Sequence, residues 1–132
     1  MAATQRLGEL QLAILRVLWD VSEATATQVR DFLPSAKQRA LTTIATMLTK
    51  MEKRGVVDHR LDGRQFIWRA TVTEEEVTRS MVAELTQKLF EGDVTALVSH
   101  LLTDQEIDRK ELARLRRLIA AREREEDDHG RG

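Results

Sequence analysis

The stretch LTTIATMLTKMEKR, Leu41 to Arg54, holds the side chains best suited to chemistry with a charged polymer. On a helical wheel, Leu41, Ile44, Leu48 and Met51 share one arc of about 80°, which must face a core. Thr43, Thr46, Lys50 and Lys53 share an arc of about the same width on the far side. That face presents small hydroxyls first and lysines last. Threonine is a middling helix former, so helix propensity does not account for Thr42, Thr43, Thr46 and Thr49 in so short a span. A DNA major groove does: hydroxyls donate to or accept from base edges, a threonine methyl can touch a thymine methyl, and lysines reach flanking phosphates. A merely solvated helix face is the alternative for the same residues.

After Gly55 the apolar period shortens from 3.6 to about 2. Val56-Val57-Asp58-His59-Arg60-Leu61 and Gln65-Phe66-Ile67-Trp68-Arg69 flank Asp62-Gly63, a dipeptide favoured in tight hairpin turns. Arg60, Arg64 and Arg69 lie in or beside this hairpin, and Arg64 sits next to its turn, which suits phosphate or minor-groove contact. Helix and hairpin together point to double-stranded DNA, with Thr42, Thr43, Thr46, Lys50, Lys53, Arg60 and Arg64 as the candidate contacts.

Other chemistries lack their residues. The absence of cysteine excludes disulfides, thiolate metal sites and cysteine nucleophiles, and fits a reducing compartment, so the cytoplasm is the expected location. His59, His100 and His129 lie far apart and are read as having no carboxylate at metal-ligand helical spacing; no zinc site or other metal is expected. His59 is expected at the surface or near a phosphate, and His100 in a core or interface. Ser22, Ser35, Ser80 and Ser99 carry no nucleophile signature, and Gly8, Gly55, Gly63 and Gly92 are isolated, so neither an enzyme nor a cofactor is expected. Trp19 and Trp68 could stack on single-stranded bases. Trp19 follows an apolar stripe and Trp68 alternates with Phe66, so both are expected in the core. No apolar run approaches the ~18 residues of a membrane span, and MAATQRLGEL lacks the apolar stretch of a signal peptide.

The elements that must hold these side chains come from 132 residues, 42% hydrophobic and 33% charged, with a formal net charge of -1. That length suits one domain, or a small domain with an appendage. The near-neutral total hides a division, with eleven bases and seven acids from Met1 to Val72 against ten and fifteen from Thr73 to Gly132. Leu10, Ile14, Val17, Leu18 and Val21 predict an amphipathic helix after Gly8, ended by Ser22-Glu23. A second helix, Thr27 to Leu33, follows a Thr25 cap and stops at Pro34. Ser35 to Ala40 connects it to the third, Leu41 to Arg54, closed by Gly55. Three short helices and a hairpin are the layout of a winged helix-turn-helix domain, expected over residues 1–72.

From Thr73 the chain reads as helix again, so the fold class is mainly α with a small β-hairpin. Thr73 and Glu76 form a capping box ahead of a stripe at Val77, Met81, Leu85 and Leu89. Gly92 breaks that helix, and Asp93 caps a short one through VTALVSHLL, which carries Leu97 and Leu101. Thr103-Asp104 begins a last segment with Ile107, Leu112, Leu115, Leu118 and Ile119. Residues 73–124 are expected to form a helical dimerisation domain through Val77, Met81, Leu85, Leu89, Leu97, Leu101, Leu112, Leu115 and Ile119, followed by a disordered tail over 125–132. A homodimer reads twice the sequence of one winged helix, which favours pairing over a helical cap folded back on the domain. Alternating charges in ELARLRRLIAARERE indicate a salt-bridged face rather than a second basic patch.

LTTIATMLTKMEKRGVVDHRLDGRQFIWRA resembles the penicillinase-repressor (BlaI/MecI/CopY) family of bacterial regulators. The pattern is Thr-Thr-hydrophobic-x-Thr-hydrophobic-Leu, then Arg54-Gly55, Gly63-Arg64 and an aromatic at Trp68. LGELQLAILRVLWD is similar to the family's first helix, and LFEGDVTALVSHLL with LARLRRLIAARE to its C-terminal dimerisation region. The resemblance spans Leu7 to Glu123. It implies a dimeric winged-helix repressor on a palindromic operator, with Thr43, Thr46 and Lys50 in the major groove, Arg64 at the wing, and release by a signal. Leu41 stands where the family often has tyrosine, a departure that removes one phosphate contact. The cysteine cluster of the copper-responsive branch is absent. Where the β-lactam-responsive branch is cut by a regulatory protease at an Asn-Phe bond, this chain has His100-Leu101. Two other functions fit the same domain: a small-molecule regulator whose C-terminal helices enclose a pocket, or a winged helix that contacts protein.

Overall fold

The computed structural model describes residues 7–131. Its elements are α1 (Glu9–Val21), α2 (Ala26–Phe32), a 3-10 turn (Ser35–Lys37), α3 (Leu41–Lys53), β1 (Val57–Asp62), β2 (Gln65–Ala70), α4 (Glu74–Phe90), α5 (Val94–Asp104) and α6 (Arg109–Arg131). Two compact units divide it, one ending at Gly92 and one beginning at Asp93.

In the first unit, apolar residues at helical spacing become a shared core. Ile14, Leu15 and Leu18 of α1, Val29 of α2, and Ile44, Leu48 and Met51 of α3 meet Val56, Val57 and Trp68 of the hairpin. Leu41, expected in that core, lies at its rim and is 37% exposed, because it is the first residue of its helix. Thr25 caps α2 through a full capping box with Gln28, which explains why so short a helix holds its start. After α3 the N–H of Gly55 donates to Glu52 O at 2.9 Å and that of Val56 to Met51 O at 3.1 Å. This is a Schellman ending, with Gly55 left-handed at φ +81. A Cβ at Gly55 meets open space, so its cost is conformational alone. Gly55→Ala is expected to destabilise the unit by about 1–2 kcal/mol, lowering the urea midpoint without changing the slope.

β1 and β2 pair antiparallel from Val57↔Ala70 to Asp62↔Gln65. The two-residue turn is therefore Gly63-Arg64, one step beyond the expected Asp62-Gly63. Gly63 has φ +64 and Arg64 is not in the positive-φ region, the signature of a II′ turn that requires glycine at its first central position. Ala24 exchanges both backbone hydrogen bonds with Trp68, at 3.0 and 2.8 Å, so the loop after α1 acts as a third edge to the hairpin. Trp19, expected to be buried, is only partly so, and its indole N–H donates to Val72 O at 2.8 Å. The N–H of Thr71 returns to Val56 O at 2.9 Å, which turns the chain into α4 over the same core. Val77 is consequently buried in this core and Met81 packs against it. Val77, expected on the dimerisation stripe, is thus sealed inside this unit, and the compact division falls at Gly92 instead of Val72.

In the second unit the Asp93 side chain caps α5 by accepting from the Ala96 N–H at 3.0 Å. Asp108 does the same for α6, accepting from the Glu111 N–H at 2.9 Å. Thr103-Asp104 is therefore the last turn of α5 and not the start of the final segment. α6 continues to Arg131, where a disordered tail was expected; Arg122 pairs with Glu125 and Glu126 at helical spacing, at 3.7 and 2.9 Å. Among the described residues of this unit, none is buried.

Candidate nucleic-acid interface

The periodicity that buries Ile44, Leu48 and Met51 turns Thr42, Thr43, Thr46, Lys50 and Lys53 to solvent. None of these five makes a side-chain hydrogen bond or ion pair with any described residue. Thr49 differs, since its hydroxyl donates back to Ala45 O at 3.0 Å. The other sides of α3 are held. Gln11 of α1 donates to Met47 Sδ at 3.2 Å and accepts from Arg54 at 3.0 Å. Glu52 Oε2 lies 2.6 Å from Nδ1 of His59 on β1. In the turn before α3, Arg39 bonds to the carbonyls of Ala36 and Gln38, and Lys37 pairs with Glu9 of α1 at 2.8 Å. Gln11, Glu52 and His59 thus fix where the threonine-lysine face points. Sequence reasoning missed them because such partners lie up to 43 residues apart and leave no local pattern.

The hairpin sorts its cations by face. Arg60 forks onto Glu23 at 3.0 and 3.2 Å, and Arg69 onto its cross-strand partner Asp58 at 2.7 and 3.1 Å. Those hydrogen bonds hold the Glu23 and Asp58 carboxyls below the usual carboxylate range. Arg60, expected among the DNA contacts, ties β1 to the loop after α1 through an exposed pair. Arg64 stands exposed in the turn with no partner among the described residues. On the inner face, His59 stacks on Phe66 at 4.1 Å, and Phe66 meets Trp68 edge-on at 5.9 Å. Trp68 is buried as expected, whereas Phe66, one pleat nearer the tip, is 45% exposed.

The dimerisation candidates other than Val77 and Met81 divide between the units. Leu85 and Leu89 are exposed on α4. On α5 and α6, Leu97 and Leu112 are half-buried, and Leu101, Leu115 and Ile119 are exposed. His100, expected in a core or interface, is exposed and pairs with Asp104 one turn on, at 2.9 Å. A His-carboxylate pair at helical spacing therefore exists, contrary to expectation, but no group of three or more His, Asp or Glu among the described residues is placed to hold a metal. His100-Leu101 lies inside α5, where the backbone is helical.

A three-helix core, a third helix with an unengaged polar face, and a docked hairpin tipped by arginine define a winged helix-turn-helix domain. The family profile described as Penicillinase repressor matches residues 7–121. The chain belongs to the penicillinase-repressor family, a family of transcriptional repressors. It is 20% identical over 116 residues to the methicillin resistance regulatory protein MecI of Staphylococcus aureus (strain N315), covering 88% of this chain and 94% of that one. It is 20% identical over 114 residues to the penicillinase repressor of Bacillus licheniformis, covering 86% and 89%. Among solved structures, the DNA-binding domain of the repressor BlaI aligns with 54% of this chain and 87% of its own at 25% identity, with a TM-score of 0.48.

Proposed function

We propose that this repressor binds a palindromic operator as a homodimer, with α3 in the major groove and the wing on the backbone or minor groove. Thr42, Thr43 and Thr46 face base edges, and Lys50, Lys53 and Arg64 face phosphates. The observation that carries this is the unengaged threonine-lysine stripe on a helix whose remaining sides are anchored. α5 and α6, with the outer part of α4, pair the subunits and set half-sites about one helical turn apart or a multiple of it. Among the described residues no helix is long and apolar enough to cross a membrane, which fits action on DNA in the cytoplasm. A signal releases the operator. If that signal is a protease cutting His100-Leu101, α5 must first unwind, since nicking favours exposed loops over hydrogen-bonded helix. Incubation with the activated host protease that leaves the chain intact removes the proteolytic version.

The test is a gel-shift titration on DNA upstream of the protein's own gene, at two salt concentrations with nonspecific competitor. Lys50→Ala is expected to weaken binding to all sequences and to flatten the salt slope by about one unit. Thr46→Ala should leave the slope unchanged and relax sequence preference. A Thr46→Ala protein indistinguishable from wild type on the cognate site would show that α3 is not in the groove.

A further inference from the structure

The inner face of the wing stays apolar past the edge of the core. Val57 and Trp68 are buried, but the next cross-strand pair on that face, Leu61 and Phe66, is 64% and 45% exposed. Residues directly opposed across an antiparallel pair sit side by side, so these two form one strip at the wing tip, beside Arg64. Single exposed apolar residues are ordinary, whereas a continuous strip on a short charged hairpin marks a contact surface. Behind the strip, a cleft of about 340 Å³ opens between wing and helix, with Phe66 and Gln65 on one wall, Leu41 and Ala45 of α3 on the other, and Thr25 and Thr27 closing its end.

We propose that this cleft and strip seat one sugar-phosphate strand of the DNA, with deoxyribose rings packed on Phe66 and Leu61. The proposal rests on the operator reading above and adds an apolar contact to it. Charge selects the occupant. No ionised side chain lines the cleft, while its two walls belong to the elements that carry the unpartnered cations Lys50, Lys53 and Arg64. The carboxylates nearby are occupied or turned away: Asp58 is held by Arg69, Glu23 by Arg60 and Glu52 by His59, and strand alternation puts Asp62 on the outer face with Asp58. A cleft lined by apolar and neutral polar side chains, between elements that also carry unpartnered cations, matches a strand whose sugars are apolar and whose phosphates are anionic. The hydroxyls of Thr25 and Thr27 supply polar groups where phosphates would pass.

An apolar sugar contact releases no counterions, so it shifts affinity equally at every salt concentration. That separates it from the cation contacts. The full-length protein would first select duplexes from a randomised DNA pool. The selected duplex would then be titrated at four salt concentrations with wild type, Leu61→Ser, Phe66→Ala and the double variant, and footprinted with hydroxyl radicals. Each single change is expected to weaken binding roughly 5- to 10-fold with an unchanged salt slope. The double variant should lose radical protection of the sugars flanking the major-groove contact and, in a parallel dimethyl sulfate footprint, keep guanine N7 protection there. Retained flanking protection with unchanged affinity overturns the proposal and leaves the cleft to a neutral ligand. A loss accompanied by a changed slope overturns it too. Leu61 is mostly exposed, so Leu61→Ser decides the matter even if Phe66→Ala proves unstable. If wild type selects no duplex, the operator reading fails, and the inference with it.

Discussion

Trp68→Ala is expected to remove about 3–5 kcal/mol from the stability of the first unit, the largest single-residue effect within it. Trp68 is 4% exposed and sits where three segments meet. Its backbone exchanges two hydrogen bonds with Ala24, its ring lies under His59 and Phe66, and its strand partner is His59. Truncation leaves a cavity under the wing that neither the two-stranded sheet nor the short α2 can collapse to fill. Domains of this size hold about 5–15 kcal/mol in all, so much of the margin goes. Phe66→Ala, on the same face but half in solvent, should cost far less. Urea unfolding followed by helical circular dichroism would measure the difference, because Phe66→Ala keeps both tryptophans and Trp68→Ala only Trp19. A midpoint for Trp68→Ala no lower than for Phe66→Ala would mean that the wing is not held through this ring. Loss of operator binding should follow the loss of fold, since Arg64 and α3 are aligned only while the hairpin is docked.

What the sequence reveals and what it hides divide along the same physical line. Features governed by neighbours within a turn or two were legible: the buried arc of α3, Gly55 as its end, the Thr25 and Thr73 caps, and the hairpin itself. Choices between near-equal local options were not. Asp62-Gly63 and Gly63-Arg64 both satisfy a two-residue turn, and only the pairing of Asp62 with Gln65 decides. Asp104 and Asp108 are both plausible starts for α6. An apolar stripe also says that a face is covered without saying by what. Val77 and Leu89 belong to one stripe on one helix, yet the first is sealed by its own domain and the second is left in solvent. Charge is the least legible of all, because Arg60 and Arg64 look alike in sequence until Glu23, 37 residues away, takes one of them. The exposure of the threonine-lysine face was therefore readable residue by residue, whereas the distant carboxylate that pairs with Arg60 was not.

Leu115→Asp with Ile119→Asp is expected to produce a monomer whose operator affinity falls between about 10²- and 10⁴-fold, the gain that linking two half-site binders provides. The ground for it is that none of the described residues in α5 and α6 is buried, although Val94, Leu101, Leu102, Leu115, Leu118 and Ile119 are large and apolar. An isolated helix as short as α5 is marginal in water, and helices in proteins gain most of their stability from packing an apolar face. In the proposed homodimer a second copy of the chain would provide that packing for both partners at once, by a two-fold contact of one patch with itself. Two carboxylates placed at facing positions across such an axis become four, desolvated and mutually repelling. Sedimentation should show the wild type as a dimer and the variant as half that mass. The salt slope of DNA binding should also fall to about half, because each binding event then neutralises half as many phosphates. The first unit, with its own core, should keep its unfolding midpoint. A variant that stays dimeric would place the subunit contact elsewhere, and one that becomes monomeric yet keeps full affinity and slope would show that a single winged helix suffices for the operator.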